Sequence, residues 1–239
     1  MNNPRKILFL MPSLVGGGAE RTLVNLLNKI DFSRYEIDLV IVSKFGEYIA
    51  QVPKQVKIIP LFNSNFIVRI LAYLQKKFGF NGIFKKMVEL KITGHYDVAI
   101  SFLDGNFTDL LFFIKHANKR YAWVHSSYKS NHNFSRFYDN DYYRQKLIRK
   151  RYDKLDAIYF VSHDAKNEFI EIFGEYPKME VVYNLIDSDS ILNKSIKTQN
   201  QALNEVFKFL AIGSLLPVKG FDRLIRASKI VKEKGLDFR

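Results

Sequence analysis

Cysteine is absent from the 239 residues, which excludes disulfide bonds and favours a reducing, cytoplasmic location. The sequence also lacks any apolar run near the ~18 to 20 residues that a membrane-spanning helix needs. Arg5 and Lys6 precede a short apolar stretch, but Pro12 interrupts it and no clear small-residue cleavage site follows. These residues favour a buried first strand over a signal peptide. We therefore expect a cytoplasmic globular protein.

Acidic residues are scarce relative to basic ones: 24 Asp and Glu against 37 Lys and Arg give a formal net charge of +13. Such a protein is attracted to anions, and charge alone leaves nucleic acid, acidic lipid and phosphorylated small molecules open. With 47% hydrophobic and 15% aromatic residues, the chain can bury a core as one large or two small domains.

The most informative segment is a glycine run between two apolar patterns. An apolar stretch is followed by residues 16–18, all glycine, and then by apolar residues at helical spacing at positions 23, 26, 27 and 30. The pattern predicts strand, loop and helix, and the amide groups at a helix start, unshielded by a Cβ, can hold phosphate. Arg21 stands where a dinucleotide fingerprint has its third glycine, which disfavours nicotinamide binding. A tight turn without a ligand is the alternative.

Apolar, strand-like runs alternate with helical patterns along most of the chain. The runs after the first are residues 35–42, 56–61, 97–102, 120–124, 157–161 and 179–183. Strands this apolar have no face in water. We therefore expect an α/β fold with a doubly wound, Rossmann-like parallel sheet that helices cover on both sides.

The pattern changes after residue 187. Residues 188–205 are polar and weakly patterned, and a strand at 206–213, a turn and a helix at 221–234 follow them. One strand and one helix cannot enclose a core. We therefore expect an N-terminal domain at 1–187, an interdomain linker at 188–205 and only the start of a second, truncated Rossmann-like domain at 206–239.

Five separated motifs occur in one order along the chain. They are residues 16–21 (GGGAER), 123–126 (WVHS), 161–162 (VS), 181–187 (VVYNLID) and 212–225 (IGSLLPVKGFDRLI). Together they resemble glycosyltransferase family 4, the group 1 glycosyltransferases, over nearly the whole chain. The resemblance implies a GT-B architecture, in which two Rossmann-like domains face each other across a cleft. It also implies retaining transfer of a hexose-type sugar from a nucleotide-diphosphate sugar, with no metal or other cofactor.

The resemblance assigns site residues as well. Gly17 and Gly18 supply backbone donors to the donor diphosphate, and Lys219 supplies a cation. Ser214 stands in the same donor site, where the family often has arginine. His125 belongs to the catalytic centre as a contact to the donor sugar, without being assigned as a general base. Much of the donor site, including a Glu-x7-Glu motif, lies beyond residue 239, so this chain is expected to be inactive alone.

Acceptor binding is implied for the N-terminal domain. Glu20, Arg21 and Tyr128 are the candidate acceptor contacts, and for Glu20 and Arg21 a structural role at the glycine loop is the alternative. No metal site is expected, because the five histidines show no metal-ligand spacing. Two Asp-x-Asp sequences, at 139–141 and 187–189, are interpreted as a helix cap and as part of the interdomain hinge.

Two basic, amphipathic regions remain. Residues 65–91 combine apolar positions with lysines such as Lys77, Lys85 and Lys86, and residues 144–154 form a second basic cluster. One interpretation is that these helices pack on the sheet with their lysines in water. The other is docking on the anionic inner face of the plasma membrane, which would suit an acceptor carried on a lipid.

The resulting hypothesis is a retaining glycosyltransferase of bacterial cell-surface polysaccharide synthesis, such as lipopolysaccharide or capsule. Its partners would be a nucleotide sugar, a glycan or lipid-linked acceptor and an anionic membrane surface. A noncatalytic glycan-binding or partner subunit of a split glycosyltransferase is the main alternative, and a sugar-nucleotide epimerase of the same fold is another. Nucleic acid is not expected as a partner, because no nucleic-acid-binding module is recognised.

Overall fold

The computed structural model describes residues 4–78, 81–129, 140–196, 207–215 and 217–238. The chain divides into two compact units, residues 1–186 and residues 187–239. Each unit is described by itself.

Unit 1 is built on a seven-stranded parallel sheet with the strand order β3-β2-β1-β4-β5-β6-β7. The strands are β1 Arg5–Met11, β2 Tyr35–Ser43, β3 Lys57–Phe62, β4 Tyr96–Ser101, β5 Ala117–Val124, β6 Ala157–Phe160 and β7 Met179–Val181. Chain order runs outward in both directions from β1, which pairs with β2 on one side and β4 on the other. The predicted doubly wound parallel sheet is confirmed. Ligands of such sheets bind at the carboxyl edge, beside this point of reversal.

Helices cover both faces of the sheet. In the described part of unit 1 the α-helices are α1 Gly18–Lys29, α2 Asn65–Phe78, α3 Gly82–Lys91, α4 Asp141–Lys150 and α5 His163–Phe173. Strand β1 is apolar at successive positions because neighbouring side chains point to opposite faces of the sheet, and both faces are covered. Leu8 and Leu10 pack in one core cluster with α2 and α3, while Phe9 and Met11 pack in another with α1.

Unit 2 contains less regular structure than the sequence predicts. Helix α6, Ser188–Ile196, lies in the segment predicted as a linker, and residues 197–206 are outside the described part. The predicted strand at 206–213 is wrong for the described residues 207–213, where Phe207 forms a single parallel bridge to Phe238. A strand needs a partner along its whole length, and one bridge does not supply it. Helix α7, Phe221–Glu233, agrees with the predicted helix.

Candidate functional site

The glycine loop lies between β1 and α1, at the carboxyl edge of the sheet in unit 1. Its three glycines are exposed, and Gly17 caps α1 with an extended backbone. A Cβ added at Gly16 or Gly18 would meet no atom within 4 Å. A Cβ at Gly17 would overlap the carboxylate of Glu20, which therefore lies beside the helix start. The first amide groups of α1, which have no partner within the helix, adjoin an open surface.

Arg21 ties α1 to the 3₁₀ helix Glu47–Gln51, which follows β2. Its Nη1 donates to Oε1 of Gln51 at 2.6 Å, and its guanidinium lies 3.9 Å from the ring centroid of Tyr48. The same 3₁₀ helix is bound to the chain before the glycine loop, because the amide of Tyr48 donates to the carbonyl of Leu14 at 3.1 Å. The structure thus gives Arg21 the structural role that the sequence left open, and its contact with an acceptor stays a prediction.

His125 directly follows β5, at the same edge of the sheet. Its ring packs against Phe102 and Trp123, with centroid distances of 4.7 and 5.8 Å. Within the described residues, its Nε2 is buried without a hydrogen-bond partner, and so is Nε1 of Trp123. Burial lowers the pKa of His125 to about 4, so the ring is neutral at pH 7. A buried polar atom without a partner is unfavourable, and a ligand hydroxyl would satisfy it.

The low pKa of His125 makes a testable contribution to stability. Between pH 6.5, the usual pKa of a histidine, and pH 4, the unfolded chain binds a proton at this position that the native protein does not. We expect the free energy of unfolding to fall by about 3 kcal/mol from this group as the pH drops through that range. Urea unfolding of wild type and His125→Gln at several pH values measures it, because glutamine does not titrate and the unfolding free energy of the wild type should fall by about 3 kcal/mol relative to that of the variant across this range. An equal pH dependence in both proteins would contradict the assignment.

Tyr128, a predicted acceptor contact, is buried. Its hydroxyl donates to Oδ2 of Asp104 and lies 2.7 Å from the hydroxyl of Tyr152, which donates to the same Oδ2 at 2.9 Å. Burial and the Asp104 carboxylate raise the pKa of both tyrosines well above the usual value. The structure therefore gives the Tyr128 side chain an internal, structural place, because a hydroxyl held in the core is not presented to a ligand.

A buried arginine completes this network. Arg151 Nε donates to Oδ1 of Asp109 at 2.9 Å, and its Nη1 donates to Oδ1 of Asp104 at 3.3 Å. The sequence placed Arg151 in a basic surface cluster, which is wrong for this residue, since it is 3% exposed. Arg151 lies four residues after Leu147 and three after Ile148, which both pack against the core, so this helical spacing in the sequence could have indicated that Arg151 is buried.

The segment from His125 to Lys129 is held from two sides. Tyr128 anchors it to Asp104, as described above. On the other side, Oγ of Ser127 donates to Oε2 of Glu168 at 2.6 Å, and Nζ of Lys129 pairs with Glu171 at 2.5 Å, both on α5. The position of His125 is therefore fixed by contacts that the sequence analysis did not find.

In unit 2, Ser214 and Lys219 are both exposed. A Cβ added at Gly213 would lie 3.6 Å from Cγ of Lys219 and 3.3 Å from the ring of Phe221. The stem of Lys219 therefore runs beside the backbone next to Ser214. That Ser214 and Lys219 bind one diphosphate together with Gly17 and Gly18 stays a prediction.

The two Asp-x-Asp sequences take part in helix starts. Asp139 lies outside the described residues, but the side chain of Asn140 accepts from the amide of Tyr143 at 3.3 Å and caps α4. Oδ1 of Asp187 accepts from the amide of Ser190 at 3.4 Å at the start of α6. Over the described ranges, no cluster of three or more histidines and carboxylates is arranged to hold a metal ion.

The sequence matches the family model described as Glycosyltransferase Family 4 over residues 16–190. Among solved structures, the Anabaena protein Alr3699/HepE in complex with UDP and glucose is 19% identical with a TM-score of 0.58, covering 93% of this chain and 57% of that chain. Its complex with UDP gives a TM-score of 0.54 with the same identity and coverage. The apo lipopolysaccharide outer core galactosyltransferase WaaB is 18% identical with a TM-score of 0.50, covering 92% of this chain and 57% of that chain.

These likenesses show a shared fold. The chain spans 57% of the length of each of these structures. No curated protein sequence matches the chain.

Proposed function

The chain belongs to glycosyltransferase family 4 and has the GT-B type of fold, and from this premise we propose that it is the acceptor-side part of a retaining glycosyltransferase. The donor would be a nucleotide-diphosphate sugar and the acceptor a glycan or lipid-linked glycan of the bacterial cell surface. UDP and glucose in the Alr3699/HepE complex, and the lipopolysaccharide role named for WaaB, support this choice.

One observation carries the proposal. The carboxyl edge of the unit 1 sheet bears both an exposed glycine loop at a helix start and a buried histidine nitrogen without a partner in the described chain. A helix start favours an anion, and a neutral imidazole can exchange a hydrogen bond with a sugar hydroxyl. A diphosphate-linked sugar has both features: its diphosphate is the anion for the helix start, and its hydroxyl groups can bind the imidazole.

The proposed role of each residue follows from the charges that develop on the donor as the sugar is transferred. When the bond between the sugar and the diphosphate breaks, negative charge grows on the departing diphosphate, and the ring carbon becomes positive. Fixed amide donors at Gly17 and Gly18 and the ammonium of Lys219 would stabilise the departing group. His125 would orient the sugar. With a pKa of about 4 it is too weak a base to take a proton efficiently at pH 7.

We propose further that the transfer needs no metal. We also propose that the 239-residue chain does not catalyse transfer by itself, because it spans only 57% of the length of the matched structure. A second candidate is a noncatalytic subunit that binds glycan or pairs with a separate donor-domain chain. Binding of a glycan by the 239-residue chain, with no turnover by any extended form, would favour that candidate.

The experiment that tests transfer uses a protein extended through a complete second domain and a panel of sugar nucleotides with EDTA present. We expect hydrolysis or transfer from at least one donor. Lys219→Ala should reduce kcat by roughly 10² to 10³, the usual loss when a donor to the developing charge is removed. His125→Ala should reduce kcat by roughly 10², the order of loss when a reacting group is misplaced by about an ångström. Interconversion of sugar nucleotides without an acceptor would instead indicate an epimerase.

The matched controls are His95→Ala and Lys232→Ala, which alter an exposed histidine and an exposed lysine outside the proposed site. They should retain wild-type turnover. Full turnover in both His125→Ala and Lys219→Ala would refute the assigned site.

A further inference from the structure

Helix α2 has two apolar sides, and only one is used by the core. Val68 and Leu71 are buried against the sheet. Elsewhere on the helix, large apolar residues are exposed to solvent: Phe66 (70% exposed), Ile67, Ile70 (45%), Tyr73 (57%) and Phe78. Positions 66, 70 and 73 are four and three residues apart, so they share one face of the helix. Contiguous apolar surface of this kind marks a binding surface.

The charged residues of this helix have one sign. Helix α2 contains no acidic residue, and Arg69 and Lys77 are exposed on it. Nζ of Lys77 lies 5.7 Å from the ring centroid of Tyr73 and 5.2 Å from that of Phe78, so its stem runs along the aromatic side chains. The single carboxylate of α3, Glu89, is paired with Lys115 at 3.6 Å. The face therefore presents apolar groups and positive charge together.

We propose that this docking face, made of Phe66, Arg69, Ile70, Tyr73 and Lys77, binds the surface of an anionic lipid bilayer. The apolar side chains would enter the boundary between headgroups and acyl chains, while the two cations contact anionic headgroups. The 14 residues of α2 span ~21 Å, short of the ~30 Å hydrocarbon core, so the helix lies along the surface. No helix in the described ranges is long and apolar enough to cross a bilayer.

Other occupants fit the face less well. A second copy would bring the same positive face opposite the first, on a chain whose net charge is already +13. Nucleic acid would match the charge, but phosphate contacts leave exposed phenylalanine and isoleucine side chains without a partner. An anionic bilayer satisfies both the apolar and the charged groups.

This inference deepens the proposed function, because a lipid-linked acceptor would lie in the membrane to which the docking face binds. Its test needs no sugar nucleotide and no turnover. Failure of vesicle binding would therefore leave the transferase proposal standing, and failure of transfer would leave the docking face standing.

The experiment sediments the 239-residue chain with phosphatidylcholine vesicles, with or without phosphatidylglycerol. We expect binding to the anionic vesicles only, weakening at least about tenfold between about 0.1 and about 0.5 M NaCl as the charges are screened. The double substitution Phe66→Ser with Ile70→Ser should weaken binding at least about tenfold, since each apolar side chain contributes about 1.5 kcal/mol or more when buried. Lys77→Glu should weaken it by roughly tenfold.

Controls lie beside β7, at the opposite edge of the sheet from β3. Tyr183→Ser and Lys178→Glu change an equally exposed aromatic residue and an exposed lysine, and should bind as wild type does. Trp123 fluorescence, from the only tryptophan, verifies that each variant is folded. Equal binding to neutral vesicles, or wild-type binding by the docking-face variants, would overturn the proposal. So would conversion of a dimer to a monomer by the double substitution without a change in vesicle binding.

Discussion

Arg151→Met is expected to lower the free energy of unfolding at pH 7 by about 3 to 5 kcal/mol, the usual result of breaking a buried ion pair from one side. The guanidinium is the buried cation between the carboxylates of Asp104 and Asp109. Methionine fills similar volume, so the loss comes from charge rather than from a cavity. Asp109 keeps its pair with the exposed ammonium of Lys150, whereas Asp104 keeps only hydroxyl donors among the described side chains.

Arg144→Met is the matched control, in the neighbouring helix α4. Arg144 pairs with Asp141 on the surface, where an ion pair contributes about 0 to 1 kcal/mol. Urea unfolding followed by fluorescence of Trp123, which lies within unit 1, measures both variants. If Arg151→Met were no more destabilising than Arg144→Met, the network around Asp104 would not be a major source of stability.

Gly46→Ala is expected to destabilise unit 1 by about 3 kcal/mol or more. Gly46 has φ +130°, a conformation that side chains rarely adopt, and strain of this kind costs about 1 to 3 kcal/mol. An added Cβ would also lie 2.0 Å from the carbonyl carbon and oxygen of Leu14. Those atoms are backbone and cannot rotate away, so overpacking adds about 1 to 3 kcal/mol.

Gly174→Ala separates the two causes. Gly174 ends α5 with φ +84°, but a Cβ there would meet no atom within 4 Å, so only the strain applies. The urea midpoint should therefore shift clearly more for Gly46→Ala than for Gly174→Ala. Equal shifts would show that the segment after β2 moves freely away from Leu14.

These two variants probe the supports of the candidate site. Gly46 lets the chain pass close to Leu14, two residues before the glycine loop begins. Arg151 and Asp104 hold Tyr128, and Tyr128 holds the segment that begins at His125. Partial loss of either support should disturb the loop or the histidine before the whole unit unfolds, which backbone amide exchange at residues 14–18 and 125–129 would show.

Much of the fold of unit 1 could be predicted, because its strands and helices have local patterns. Strand β1 is apolar at every position from Ile7 to Met11 since both of its faces are covered, and the period of α1 follows from residues 23, 26, 27 and 30. The cap at Ser162, whose Oγ accepts from the amide of Ala165 at 3.2 Å, is likewise a local arrangement. Unit 2 was predicted less well, because a strand at 206–213 depends on neighbours that the described residues do not supply.

The sequence by itself determined the parallel α/β architecture, the glycine loop at a helix start and the family. Each of these depends on residues close together in the chain or on motifs in a given order. Only the tertiary structure decided that Tyr128 is internal, that Arg151 is buried and that His125 is neutral. Arg151 lies 42 and 47 positions from Asp109 and Asp104, and sheet order rather than local spacing brings them together. Burial and charge then set the state of each group, and neither quantity is contained in a local pattern.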